Sequence, residues 1–310
     1  DAQVHRVCVE PEDLTNDLSD LIKAQGEPFC TTSMYAQYRV FQEARKYGIT
    51  VVLEGQGADE LLAGYHGYVG QRMRSLLETG DIGGMFRFSA NWKRWPGRQG
   101  QTAWRALAGQ LLPDGLYQVG LRIANLNKLP QWLDAKALRR EGISMRPYRL
   151  ERLHKGRGRR VAEVLSLALT KGGLPSLLRY GDRNAMRFSI ENRVPFLTLS
   201  MANFILGLPE QYLVSEHGET KSIFRKAMRG IVPDAILDRR DKIGFETPMQ
   251  SWLLPLGEEI RKNLEEASKF SYLSTDRMIS DFEGVVVDKR RLDAQTWRMI
   301  NLCWWANLNA

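Results

Sequence analysis

Two carboxylates, Asp59 and Glu60, stand directly after a glycine-punctuated loop, Glu54-Gly55-Gln56-Gly57-Ala58. That loop in turn follows the β-branched run Ile49-Thr50-Val51-Val52-Leu53, which has the composition of a buried strand. Ligands of open α/β sheets bind outside the carboxyl ends of the strands, where such a loop would lie. Gly55 and Gly57 would let the backbone approach a ligand closely. Asp59 is a hard oxygen donor of the kind that holds Mg²⁺ together with phosphate oxygens. The same two carboxylates would equally serve to favour a helix N-terminus electrostatically, and the loop alone does not choose between these roles.

A second constellation runs from Leu174 to Leu197. Arg179, Arg183 and Arg187 recur at i, i+4 and i+8, a stripe on one helix face, and Glu191 continues it. An exposed helix with ion pairs such as Arg187 to Glu191 would account for the stripe. The apolar Val194-Pro195-Phe196-Leu197 follows at once, however, so the charged end of the helix is expected to enter the interior, where buried charges need partners or a ligand. A third piece comprises Thr220-Lys221-Ser222-Ile223-Phe224-Arg225 and, further on, Lys242-Ile243-Gly244-Phe245. Lys242 lies in a break between helices, where it would either be solvated or reach negative charge developing on a phosphate.

The elements that must position these residues follow from periodicity. Val4 to Val9 reads as a short strand. Leu14, Leu18, Leu21 and Ile22 mark one face of a helix over 14–23, which Gly26-Glu27-Pro28 ends. Thr31, Thr32 and Ser33 are N-cap candidates for a helix reaching Tyr47, and Gly48 stops it before the Ile49–Leu53 strand. Strand, helix, helix, strand is the grammar of an α/β layer with parallel strands. Beyond Gly70 the apolar spacing is helical over 104–112, 160–169, 174–190, 201–206, 221–228 and 296–308, and little alternates as a strand does. The Trp- and Arg-rich stretch 91–101 reads as a surface loop.

Composition sets the outer limits. The chain has 310 residues, 43% of them hydrophobic and 26% charged, as in an ordinary soluble globular protein. No apolar run reaches the roughly 20 residues of a membrane span, and no basic, apolar signal-like stretch opens the chain. The cytoplasm is therefore the expected compartment, and the opening Asp1-Ala2-Gln3 reads as an interior position of a longer protein. Cys8, Cys30 and Cys303 are too scattered for a disulfide framework or zinc site, and the four histidines form no metal-ligand pattern. A net charge of +8 suits an anionic partner, yet no aromatic-interleaved nucleic-acid motif accompanies it. No nucleic acid and no membrane are expected as partners.

These three blocks, in this order, resemble the asparagine synthetase family. Its pattern is S-G-E-G-[AS]-D-E-x-x-x-G-Y, then D-R-x-x-M-x-x-x-x-E-x-R-x-P-F-L, then K-x-x-x-R and a late K-x-G-F-x-x-P. The resemblance runs from about Val4 to Trp304-Trp305. It implies an α/β fold: part of a parallel-sheet ATP pyrophosphatase-like domain over 1–70, followed by a long, mostly helical part of the same synthetase domain over 71–310. It also implies ATP and Mg²⁺, a carboxylate acceptor with aspartate favoured, and a separate N-terminal glutaminase that frees ammonia from glutamine. Carried over by position, Glu54, Gly55 and Gly57 would line the nucleotide, Asp59 would hold Mg²⁺ and Glu60 would support that site. Lys242 would stabilise charge on the adenylating phosphate, and Asp182, Arg183 and Glu191 would build the acceptor pocket. Lys221 and Arg225 are candidates for phosphate or domain contacts.

Two departures qualify what the resemblance implies. Gln56 stands where the pattern has glutamate, and an amide cannot ionise to move a proton. The acceptor could therefore be another carboxylate, such as a polysaccharide sugar acid, or the chain could be a non-catalytic binding remnant. The family's S-G-G-x-D-S-S loop, which grips pyrophosphate and brings a further Mg²⁺ ligand, occurs nowhere in the 310 residues. A fragment without synthetase turnover of its own is the expectation, whether engineered or a truncated reading frame. Uncovered sheet edges would then favour self-association, so a homo-oligomer is possible.

Overall fold

The computed structural model describes residues 3–123, 129–143, 157–241, 244, 247–287 and 290–310. The chain is mostly helical around one small parallel sheet. Helix α1 (Pro11–Gln25) begins at a proline, whose missing N–H costs nothing in the first turn. Glu10 and Asp13 close a reciprocal cap there, and Gly26 at φ 67° ends the helix. Helix α2 (Ser33–Lys46) leads through Gly48 into β1 (Val51–Leu53) and the one-turn helix α3 (Ala58–Leu61). Next come α4 (Val69–Glu78), α5 (Ile82–Trp92), α6 (Gly100–Leu111), α7 (Asp114–Ile123), α8 (Ala135–Arg140), α9 (Arg160–Thr170) and α10 (Gly173–Arg187). Strand β2 (Glu191–Arg193) is followed by α11 (Leu199–Gly207), α12 (Ser222–Ala227) and α13 (Asp234–Leu237). The chain closes with α14 (Met249–Leu253), α15 (Gly257–Glu266), α16 (Thr275–Val286) and α17 (Ala294–Leu308).

The sequence expectations for 4–9 and for the end of α10 need correction. Residues 4–9 form no strand; Val4 is 77% exposed, and β-branched composition does not make a strand without a ladder to join. Glu191 does not continue α10. The helix stops at Arg187, Ser189 turns the chain at φ 54°, and Glu191–Arg193 becomes β2. The charged end of α10 also stays outside: Arg187 pairs with Asp20 of α1 at 2.8 Å, Arg179 pairs with Glu27, and Glu191 pairs with Arg193 at 2.8 Å. Burial at this point falls on Ile190 instead.

The β1–β2 pair is parallel, with Val51 opposite Glu191, Val52 opposite Asn192 and Leu53 opposite Arg193. One face, carrying Val52, packs over a small core of Phe41, Ala185 and Ile190. The other face is open: Val51 is 40% exposed and Leu53 69%. The buried-strand reading of 49–53 is therefore overturned: the strand covers Val51–Leu53 only, and its one inward residue, Val52, is half-buried. Two larger cores flank this pair. The first joins α1 and α2 to α14–α17 across the whole length of the chain, with Trp297 fully buried and its indole N–H donating to Phe29 O. The second gathers α3–α6, α9, α11 and the Leu213-Val214 turn.

The stretch 160–187 is long and apolar enough, by length and composition, to cross a membrane. It is two helices, α9 and α10, that meet at Lys171-Gly172. Arg160 pairs with Glu78 and Glu163, Arg179 with Glu27 and Arg187 with Asp20 of α1.

The stretch 91–101 is only partly a surface loop. Arg98 is 8% exposed, stacked over Trp92 and Trp95, and donates to Gly218 O. Burial, reinforced by the charge of Arg225, brings the Arg98 pKa down to about 10.

Candidate active site

The carboxyl end of β1 delivers the chain into a tight loop. Gly57 takes φ 89°, and a Cβ there would stand 2.3 Å from Leu197 Cδ2, so only glycine fits. The parallel register brings the first and second sequence blocks together at this end. Glu54 N–H donates to Arg193 O at 2.8 Å, and both oxygens of the Glu54 carboxylate accept from amides, Gln37 Nε2 and Asn192 Nδ2, each at 2.8 Å. Gly181 of α10 lies against the same group, where a Cβ would meet Asn192 Nδ2 at 3.2 Å and Gln37 Nε2 at 3.3 Å. The Gln37 amide oxygen accepts from Asn184, whose own oxygen accepts from Gln25. A relay of buried and half-buried amides thus fixes Glu54 from α1, α2 and α10.

The first and third blocks meet at Asp59. Lys221 Nζ lies 2.6 Å from Asp59 Oδ1, with both side chains largely covered. Gly64 makes this approach possible: a Cβ there would fall 1.8 Å from Asp59 Oδ1 and 2.5 Å from Lys221 Cε. Glu60, next along α3, turns the other way. It is 4% exposed, and Tyr65 Oη donates to its Oε1 at 2.6 Å. Burial, and then this bond to Glu60, hold the Tyr65 hydroxyl well above the usual phenol range; burial and the same carboxylate raise Tyr68 as well.

The remaining candidates take separate places. Gln56 is half-buried in the loop and Gly55 is exposed. Asp182 is exposed on α10, and Arg183 reaches over Gly26, where a Cβ would meet its Nη1 at 2.8 Å. Glu191 is on the open face of the sheet, opposite Val51. Arg225 donates from Nε to Thr220 O and from Nη1 to the carbonyls of Leu237 and Arg239. It thereby ties down the segment that leads to Lys242. Lys242 itself lies outside the described residues.

Sequence reasoning passed over Asn192 and Gln37. With Glu191 taken as helical, the period-2 alternation that puts its neighbour Asn192 beside Glu54 was not visible. Gln37 lies mid-helix in α2 and carries no motif of its own.

Among the described residues no group of three or more His, Cys, Asp or Glu side chains is placed to hold a metal ion. One partly covered carboxylate, Asp59, fits a Mg²⁺ shared with phosphate oxygens and water, and does not fit a site built from protein alone.

The asparagine synthase family model matches residues 1–307. The chain belongs to the asparagine synthase family. It is 24% identical to glutamine-hydrolysing asparagine synthetase 1 of Bacillus subtilis over 97% of this chain and 47% of that relative. It is 26% identical to a Mycobacterium tuberculosis protein provisionally named a glutamine-hydrolysing asparagine synthetase, over 79% of this chain and 37% of that protein. A shorter match, 37% identical over 22% of this chain, is to asparagine synthetase 3 of B. subtilis. The chain thus spans about half the length, or less, of the curated relatives it matches. No solved structure matches it. Against the asparagine synthase pattern S-G-E-G, Glu54 occupies the serine position and Gln56 the glutamate position.

Proposed function

We propose that this chain is the larger part of the synthetase domain of an ATP-dependent amidotransferase, with an ATP pyrophosphatase-like α/β portion over 1–70 and a helical portion over 71–310. The family match over 1–307 carries the reading, and the meeting of all three motif blocks around β1 supports it. The favoured reaction is the one named for its relatives. The carboxylate of aspartate attacks the α-phosphorus of ATP, pyrophosphate leaves, and ammonia then attacks the acyl carbon and expels AMP. Ammonia would come from a glutaminase part outside this sequence, and the cytoplasm is the setting.

In this scheme Glu54, Gly55 and Gly57 line the nucleotide, with Glu54 held rigid by Asn192 and Gln37. Asp59 would face Mg²⁺, and Glu60, buried and bonded by Tyr65, would support that site by fixing α3. Bound Mg²⁺ would neutralise charge between the phosphates. Lys221 and Arg225 serve phosphate and segment positioning, while the acceptor-wall role of Asp182, Arg183 and Glu191 rests on the resemblance alone, since the three lie at separate places around α10 and β2. Lys242 stabilises charge on the adenylating phosphate, as preorganised cations do.

Because the sequence contains no S-G-G-x-D-S-S segment, we infer that this segment alone does not turn over. Calorimetric titration with Mg-ATP tests this. No heat at millimolar nucleotide is expected from the chain alone. Pyrophosphate and AMP release is expected once it is joined to the upstream half and given aspartate and ammonium. A joined protein that releases neither would end the reading. Gln56 supports a second one, in which the acceptor is a sugar carboxylate rather than aspartate. AMP release with a uronic acid and not with aspartate would decide for it.

A further inference from the structure

We propose that Lys221 fills the cation position of Asp59 in the nucleotide-free protein, keeping bare divalent cations off that carboxylate until a polyphosphate draws the ammonium away. The inference rests on the reading of Asp59 as the Mg²⁺-facing oxygen and adds to it a gate made from the chain's own side chain.

Four observations converge on the pair. The ammonium is 2.6 Å from Asp59 Oδ1, and the two side chains keep only 27% and 19% of their exposure. The pair joins α3 to the residue that precedes α12, and it is more covered than the between-element pairs Arg187–Asp20 and Arg179–Glu27. Lys221 is held in a left-handed conformation, φ 56° and ψ 29°, which a non-glycine residue seldom adopts. Its N–H donates to Leu62 O at 3.1 Å and its carbonyl accepts from Arg225 N–H at 2.9 Å, so the backbone is fixed on both sides while the stem runs back across α3. Finally, Gly64 leaves the space that both side chains occupy, since a Cβ would collide with Asp59 Oδ1 and Lys221 Cε together.

The electrostatics follow from this placement. A divalent cation at Asp59 Oδ1 would meet a fixed ammonium within a few ångströms, in a partly covered site where repulsion is poorly screened. The cation and the ammonium therefore exclude one another. A lysine stem is long and flexible enough to swing the charge to a second anion without moving the backbone. A polyphosphate offers that anion, so nucleotide and cation would bind with positive coupling, each removing an obstacle to the other. After the swing Lys221 is a phosphate-facing cation, which unites two roles in one residue.

The test uses Tb³⁺ as a hard-cation probe, read by luminescence sensitised through the nearby tyrosines. Tyr65 and Tyr68 both feel the charge of Asp59. Wild type, Asp59→Asn, Lys221→Met, and Lys221→Met with Asp59→Asn are titrated without nucleotide, and far-ultraviolet dichroism confirms the fold of each. Lys221→Asn is the second variant, because asparagine accepts a left-handed backbone and cannot reach Asp59. The expected result is Tb³⁺ affinity at least about tenfold tighter in either Lys221 variant, within the usual span of coupling energies, with the gain lost when Asp59→Asn is added. Equal affinity in wild type and Lys221→Met overturns the gate; if Asp59→Asn still weakens both, Asp59 remains the cation ligand and the proposed function stands. A gain that survives Asp59→Asn overturns the gate and the metal-facing reading of Asp59 together.

Discussion

Asn192 Nδ2 donates to Glu54 Oε2 at 2.8 Å, tying the carboxyl end of β1 to the middle of the parallel β2 through one side-chain bond. The opposite oxygen of Glu54 accepts from Gln37, whose orientation is in turn set by its bond from Asn184. Both partners of Glu54 are therefore donors. Glu54→Gln would set an amide N–H₂ against one of them and leave a half-buried donor unmatched, at a cost of about 1–3 kcal/mol. Urea denaturation checks the loss. In the joined protein, Mg-ATP affinity should fall with it, while Asn192→Asp, which sets carboxylate against carboxylate, should be worse than Glu54→Gln on both readouts.

Gly55 and Gly64 separate the two jobs a glycine can do near a site. Nothing lies within 4 Å of a Cβ at Gly55, so Gly55→Ala should leave stability within about 0.5 kcal/mol of wild type. A loss of nucleotide affinity in that variant would then report a ligand approaching the loop backbone. Gly64→Ala meets Asp59 Oδ1 and Lys221 Cε, the ends of two flexible side chains, so it should part that pair at a cost of about 1 kcal/mol or less. Thermal melts of the chain beside nucleotide titrations of the joined protein resolve the pair of effects.

Much of this arrangement could be read in advance, and the parts that could not share a cause. The face Leu14, Leu18, Leu21 and Ile22 is buried as its spacing implies, and α9, α10 and α17 lie where apolar period placed them. What sequence did not reveal is set by pairing across the chain. Strand β2 is three residues long, polar, and exists because β1 offers it a ladder. Asn192 gains its position only from that ladder. The contact of Lys221 with Asp59 depends on a left-handed backbone at a lysine, which no local propensity forecasts.

Arg225 offers a test of whether a basic motif residue binds phosphate or backbone. Its guanidinium bonds the carbonyls of Thr220, Leu237 and Arg239. Arg225→Lys keeps the charge and loses the fork, so it should behave like Arg225→Ala, each costing about 1.5–3 kcal/mol. Both variants should show faster tryptic cutting at Arg239 and Arg240, seen as a specific pair of fragments by mass spectrometry. Normal protease resistance in Arg225→Lys would assign the residue to charge rather than to tethering.

Asp20 predicts part of the acid sensitivity. Burial works to raise its carboxyl, but bonds from Arg187 and the Tyr38 hydroxyl, with the charge of Arg187, outweigh it and hold the pKa below the usual value. A depressed carboxylate contributes stability above its unfolded pKa of about 3.9, and that contribution disappears as pH falls through the folded value. Asp20→Asn should therefore cost about 0.5–1 kcal/mol at pH 7, a modest amount because the Arg187 pair is exposed to solvent. The difference from wild type should vanish at the acid end of a series of denaturant melts. A gap that persists there would mean packing against Tyr38, not charge, is what Asp20 supplies.

The open face of the sheet yields the last prediction. Leu53 is 69% exposed and Val51 40%, and among the described residues neither β1 nor β2 has a further strand on its outer edge. Unpaired edges beside exposed apolar side chains invite pairing with another chain. At tens of micromolar the protein should elute larger than a monomer, with light scattering rising on dilution from denaturant. Leu53→Lys should restore a monomer without lowering the midpoint of unfolding, since Leu53 contributes little to the core and a charge on an edge strand blocks pairing. If Leu53→Lys remains associated, the contact lies elsewhere, and the exposed Leu116, Val119 and Ile123 of α7 are the next face to substitute.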